Sequence, residues 1–272
     1  MRTAFKVIGL AAVVSLVTGV IAEQSSARTR AARATSDVWA NVIIYDAIPG
    51  QEAALERELT AQLSDADMKR DGIINDRALK NIDPIALQYA SYTKFSNTAG
   101  ADSFVNARID RVKNFVRRTP ESHLVQLEST YSPSGVQSKP KGSEFGYEEV
   151  GQTAHVFLGA PDPKYEQEYY DALAEVKRLS VGRAPQGWLG DDLLSDSSTR
   201  QPERIAPYSP RPASATTLSV NYAEYKSFEN AEDAYLKRQG SDDPSLIELQ
   251  RVFFGALQVP ARVYIFKVIA NR

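Results

Sequence analysis

Ala40-Asn41-Val42-Ile43-Ile44 opens a unit that runs on to Tyr92-Thr93-Lys94-Phe95-Ser96-Asn97-Thr98-Ala99-Gly100-Ala101-Asp102-Ser103-Phe104. The pattern comes back as Ala154-His155-Val156-Phe157-Leu158 and Tyr222-Ala223-Glu224-Tyr225-Lys226-Ser227-Phe228-Glu229. Each copy reads strand, helix, weak strand, strong strand, helix, strand. Asn41 to His155 is 114 residues, Asp102 to Asp233 is 131 and Val125 to Val263 is 138. The offset grows only across a proline-rich stretch at 199–215 and an extra helical segment after Gly240. Offsets that change only at loops mark an internal repeat.

Period-2 and period-3.6 patterning place the elements. Val38 to Asp46 is a strand, with Val38, Ala40, Val42 and Ile44 on one face and Trp39, Asn41, Ile43 and Tyr45 on the other. Pro49-Gly50 ends it, and Gln51 to about Asp67 forms a helix with Leu55, Leu59, Leu63 and Ala66 on one stripe. A weak strand (72–80) and a strong one (85–95) follow. A helix then starts where Asn97 or Thr98 can cap it, with Ala101, Phe104, Val105, Arg108 and Val112 inward, and His123 to Tyr131 closes the unit. The second copy places strands at 152–158, 188–194, 217–226 and 260–269. Its helices carry Tyr165, Tyr169, Leu173 and Val176, then Ala231, Ala234 and Tyr235, with a further segment at 245–254. The fold class is α+β: two ferredoxin-like units whose antiparallel sheets pack face to face as an intramolecular dimeric α/β barrel, leaving a central volume.

The boundaries follow. Residues 1–22 read as a signal peptide, with Arg2 and Lys6 ahead of an apolar run from Val7 to Ala22 and an alternative end at 27. Residues 23–36 are a flexible leader, 37–131 the first unit, 132–149 a linker and 150–272 the second unit. The protein is expected to be exported, to the periplasm or the exterior, without stable membrane insertion after processing, since 16 apolar residues are short for a spanning helix. Net charge is -2 and no basic tract tracks a phosphate backbone, so nucleic acid is not an expected partner. Cysteine is absent, which excludes disulfides and a catalytic thiol. Metal is not expected, because the two histidines lie 32 residues apart. Asp191-Asp192 and Asp242-Asp243 lack the alternation of a calcium loop and read as solvated loop faces.

The strand Asn41-Val42-Ile43-Ile44-Tyr45 with Pro49-Gly50, the stretch Gly72-Ile73-Ile74-Asn75-Asp76-Arg77-Ala78-Leu79, and Asp83-Pro84 leading to Tyr89-Ala90-Ser91-Tyr92-Thr93-Lys94-Phe95 resemble the antibiotic-biosynthesis-monooxygenase-like domain of the dimeric α/β-barrel superfamily. The resemblance spans about residues 38 to 269 as a tandem pair and implies units that pair through their open sheet faces. Members include cofactor-independent oxygenases of phenols and haem-degrading enzymes. Asn106-Ala107-Arg108-Ile109-Asp110 lacks the histidine that haem-degrading members place in the second helix, so no cofactor is expected.

Asn41 and His155 hold equivalent places on the two first strands. With the opposite faces under helices, both enter the shared interior, His155 as a base and Asn41 as an oxyanion donor. Trp39, Tyr45, Tyr89, Phe157, Tyr222, Tyr225 and Trp188 are the expected lining. Local hydrogen bonding and aromatic packing are the alternative for all of them. The expected function is binding of a small apolar or aromatic molecule in a central cavity. The alternatives are a cofactor-independent monooxygenase or isomerase of a phenolic, polyketide-like substrate, and a non-catalytic envelope-associated protein. Sheet faces satisfied within one chain imply a monomer or weak dimer.

Overall fold

A computed structural model describes residues 37–65, 72–137, 150–183, 186–196, 218–239, 242–258 and 260–272. The signal peptide, the leader, the proline-rich loop and most of the linker expected from the sequence lie outside the described residues. The first unit comprises β1 (Trp39–Asp46), α1 (Glu52–Ser64), β2 (Ile73–Asn81), β3 (Gln88–Phe95), α2 (Ala101–Val112) and β4 (Glu121–Ser132), with a short β5 (Gly135–Gln137) folded back on β4. The second comprises β6 (Thr153–Gly159), a 3-10 turn at Pro163–Tyr165, α3 (Glu166–Arg183), β7 (Trp188–Asp196), β8 (Leu218–Tyr225), α4 (Phe228–Gln239), α5 (Pro244–Gly255) and β9 (Arg262–Asn271).

Each unit is a four-stranded antiparallel sheet, ordered β4-β1-β3-β2 and β9-β6-β8-β7. The sheets meet edge to edge through two antiparallel seams, β2 with β9 and β4 with β7, which close an eight-stranded barrel. Closure leaves the eight strands without a free edge, the liability of any open sheet. The α1 stripe is as the sequence implies, with Leu55, Leu59 and Leu63 buried. The start of α2 is not. Asn97 accepts from the Ala99 amide 3.1 Å away, and the helix begins after Gly100, whose φ of 71° glycine tolerates.

Three apolar layers result. The barrel interior collects Val38 just before β1, Ala40, Val42 and Ile44 of β1, Tyr92 of β3, Ala154, Val156 and Leu158 of β6, and Tyr222 of β8. A second layer joins Ile43, Tyr45 and Tyr89 to α1 and α2. The third joins Trp188, Tyr225 and Ala223 to Tyr169 and Leu173 of α3 and Phe253 of α5.

These layers reverse the expected facing of β1 and β6. The face bearing Asn41 lies under the first unit's helices, and the Val42 face fills the barrel. Both faces of β1 are buried, so period-2 alternation marks two faces without saying which one is the interior.

Candidate functional site

The two units superpose residue for residue through their pairings. Val42 is flanked by Tyr92 and His123, and Val156 by Tyr222 and Tyr264. Ile44 is flanked by Ala90 and Glu121, and Leu158 by Val220 and Arg262. Arg77 stands opposite Tyr92, and Asp192 opposite Tyr222. The pseudo-twofold axis therefore exchanges Glu121 with Arg262 and His123 with Tyr264.

Those four side chains meet at one end of the barrel. Arg262 grips Glu121 with both terminal nitrogens, Nη1 at 2.6 Å from Oε2 and Nη2 on Oε1. Its Nη1 also donates to the Tyr264 hydroxyl at 3.1 Å. The Glu121 Oε1 lies 2.5 Å from His123 Nε2. Burial pushes the Glu121 carboxyl upward, but the hydrogen bonds from Arg262 and His123 outweigh it and bring the pKa down to about 2. An ionised carboxylate only accepts, so His123 carries a hydrogen on Nε2, and Nδ1 is the ring nitrogen that Glu121 leaves unengaged. That Nδ1 is buried and has no hydrogen-bond partner among the described residues. Arg262, with 28% of its side chain exposed, is the lip of the site.

Deeper in the barrel lie four charges, each at most 1% exposed. Arg77 pairs with Glu224 at 2.8 Å and Lys94 with Asp192 at 2.6 Å, each pair crossing from one unit to the other. Asp192 also accepts from Tyr92 at 2.8 Å and from Thr130 at 2.7 Å. Tyr222 donates to Glu224 at 2.5 Å. The Tyr92 and Tyr222 rings stack with centroids 3.8 Å apart and planes 12° apart. Burial lowers the Lys94 pKa, and it pushes the Glu224 carboxyl up to about 7 in spite of Arg77. Asp191 and Asp192 are therefore buried strand residues and not solvated loop faces. Asp191 takes Lys177 of α3 at 3.0 Å.

The sequence-derived site divides three ways. Trp39, Asn41, Tyr45 and Tyr89 lie on the helix-covered side of the first unit. Asn41 donates to Ser122 at 2.9 Å, and the Tyr45 hydroxyl lies 3.1 Å from Ser91. His155, Phe157, Tyr225 and Trp188 gather on the matching side of the second unit, where the His155 ring sits 5.2 Å from that of Tyr225. Tyr222 is the one member inside the barrel. β1 and β6 are four strands apart in a ring of eight, so Asn41 and His155 point away from each other on opposite sides. They cannot share one substrate, and His123 is the histidine that faces inward. Its signal was present in Glu121-Ser122-His123, an acid and a histidine on one face of a strand.

The first unit holds one further buried cluster. Arg108 of α2 reaches the Asp76 carboxylate and the Thr93 hydroxyl, both at 2.8 Å, and Gln62 at 3.1 Å.

No protein-family model matches the chain, and no curated protein is significantly similar to it. Solved structures are similar in fold. An anthrone oxidase-like protein aligns with 88% of this chain and 94% of its own at a TM-score of 0.65 and 12% identity. A proposed monooxygenase from Fusobacterium nucleatum aligns over 87% and 94% at 0.59 and 9%, and one from Lactobacillus acidophilus over 86% and 95% at 0.54 and 8%. The fold is thus a closed eight-stranded barrel with flanking helices, and it resembles the ferredoxin-like barrels of those structures.

Proposed function

We propose that the protein is a cofactor-independent oxygenase or isomerase acting on a phenolic, fused-ring substrate at the barrel mouth. The observation that carries this reading is the Glu121–His123 dyad with its buried Nδ1, which has no hydrogen-bond partner among the described residues. A base oriented by a second group is the arrangement that proton abstraction needs. The acidic proton of the substrate passes to Nδ1, and Glu121 steadies the imidazolium that forms. Arg262 and the Tyr264 hydroxyl stand on the same rim to hold the developing oxyanion. The electron-rich carbanion either adds dioxygen or takes a proton back at another carbon, and these outcomes are the oxygenase and the isomerase. The fold likeness to an anthrone oxidase-like protein and to proposed monooxygenases supports the same reaction class by analogy alone. We propose export as its setting, on the strength of Arg2, Lys6 and the apolar run from Val7 to Ala22.

The test is turnover of a panel of phenols and anthrones, followed by oxygen consumption and by product absorbance under air and under argon. His123→Gln should remove at least about 100-fold of any activity found, the usual contribution of a positioned base. His155→Gln should leave the rate within a factor of two or so. The reverse ranking would return the base to His155 and end the mouth reading.

A further inference from the structure

The Tyr92 and Tyr222 rings stack nearly parallel, with centroids 3.8 Å apart, inside the barrel. Parallel rings can slide over one another, so something must fix their register. Here the hydroxyls hold the rings in register, each donating to a carboxylate on the second unit: Tyr92 to Asp192 and Tyr222 to Glu224. Both tyrosines are fully buried. Close overlap spreads a missing electron over two rings, and a carboxylate at hydrogen-bond distance takes the proton that a phenol sheds on oxidation.

We infer that Tyr92 and Tyr222 form a one-electron redox site in the barrel, with Tyr222 the residue oxidised and Glu224 its proton acceptor. In the step, a one-electron oxidant of the phenoxyl or peroxyl radical class takes an electron from the stacked pair. The Tyr222 O–H bond breaks, its proton forms a new O–H bond on Glu224, and a neutral tyrosyl radical remains. The oxidant takes a proton from solvent and leaves as a phenol or hydroperoxide.

Glu224 is the better acceptor of the two carboxylates. Asp192 already holds Lys94, Thr130 and Tyr92. Glu224 faces Arg77 from β2, Lys94 from β3, Asp192 from β7 and Tyr222 on its own strand, yet burial still lifts its carboxyl to about 7. Above that pH it is an ionised acceptor, and below it the carboxyl is already occupied.

The experiment is photo-oxidation of the whole protein with ruthenium tris(bipyridine) and a cobalt(III) quencher, read by electron paramagnetic resonance on samples frozen before and after ascorbate. Exposed tyrosyl radicals, such as that of Tyr165, should be consumed by ascorbate, while a buried fraction survives. That fraction should fall several-fold in Tyr222→Phe, stay unchanged in Tyr165→Phe, and shrink as pH drops through about 7. If Tyr222→Phe does not fold, Glu224→Gln gives the same reading, because an amide keeps the contact but cannot take the proton. The idea is overturned by the absence of any ascorbate-resistant signal in the unaltered protein. It is equally overturned by a resistant signal undiminished in whichever of the two variants folds. The oxidant is supplied from outside, so the result does not depend on whether His123 accepts a substrate proton.

Discussion

Arg77 and Asp192 occupy the same position in the two units and carry opposite charges. The same inversion holds for Lys94 and Glu224, and for Glu121 and Arg262, so the first unit offers two deep cations to the second unit's two anions. Each ion pair crosses the pseudo-axis. Two copies of the first unit would set four deep cations together, and two copies of the second four deep anions, with no counter-charge among those four positions. The barrel is built for unlike halves.

Removing one partner should therefore cost far more than removing both. Arg77→Met removes the cation that restrains the upward shift of Glu224, so the carboxyl takes up a proton and stays buried without its partner, and the variant should lose about 1–3 kcal/mol. Arg77→Met combined with Glu224→Leu should recover most of that loss. Urea unfolding of the two single variants and the double gives the coupling directly. Additive losses would show that the pair is not an energetic unit.

Two carboxylates set opposing pH dependences. Glu224 titrates at about 7 in the fold against 4.5 ordinarily, so the folded protein keeps a proton that the unfolded chain has lost. Its contribution is complete below about pH 4.5 and falls as pH rises towards 7. Glu121, lowered to about 2, acts the other way: its contribution is present above about 4.5 and is lost as pH falls towards 2. Urea midpoints measured between about pH 3 and 8 should decline from 4.5 to 7, and Glu224→Gln should flatten that limb.

Gly159 is held by its surroundings. A β-carbon there would lie 2.8 Å from the Phe157 ring, 2.9 Å from the Tyr169 hydroxyl and 3.2 Å from Leu257. Gly159→Ala should cost about 1–3 kcal/mol through overpacking, read as a lowered melting temperature. Gly50 has no atom within 4 Å of the same construction but sits at φ 86°. Gly50→Ala should therefore lose a smaller amount, through backbone strain alone.

Seams closed within one chain should leave a monomer. Sedimentation at micromolar concentration is expected to show one species of single-chain mass, and a tight tetramer would contradict it. Mass spectrometry of exported protein should place the N-terminus at Glu23 or Arg28, whereas intact Met1 in a membrane fraction would indicate an anchor.

The fold was legible because Ala40 to Ile44 and Ala154 to Leu158 repeat with their helices and strong strands in order. The site was not, for two physical reasons. Strands covered by helices outside and by a barrel inside are apolar on both faces, so Asn41 and His155 drew attention as polar exceptions although local partners and packing account for their setting. Conversely, Asp192 read as a solvated loop face, and Arg77, Lys94 and Glu224 carried no signal of their own, because a single charged residue in a strand gives no sign of a counter-charge more than 95 residues away. Only closure of the barrel brings them together. His123 was hidden similarly, since Arg262, which completes its site, belongs to the last strand.

That last strand has a consequence for how the protein is made. In the β2–β9 seam Arg77 faces Asn271, and the Asp76 amide and carbonyl are tied to those of Arg272. While the chain is being synthesised, the first sheet therefore waits with the edges of β2 and β4 unpaired until β7 and β9 have emerged. Pairings this distant in sequence form slowly, and bare edges invite association with other chains in the interval. The halves are thus joined in time as well as in space: the first can be complete only when the second is.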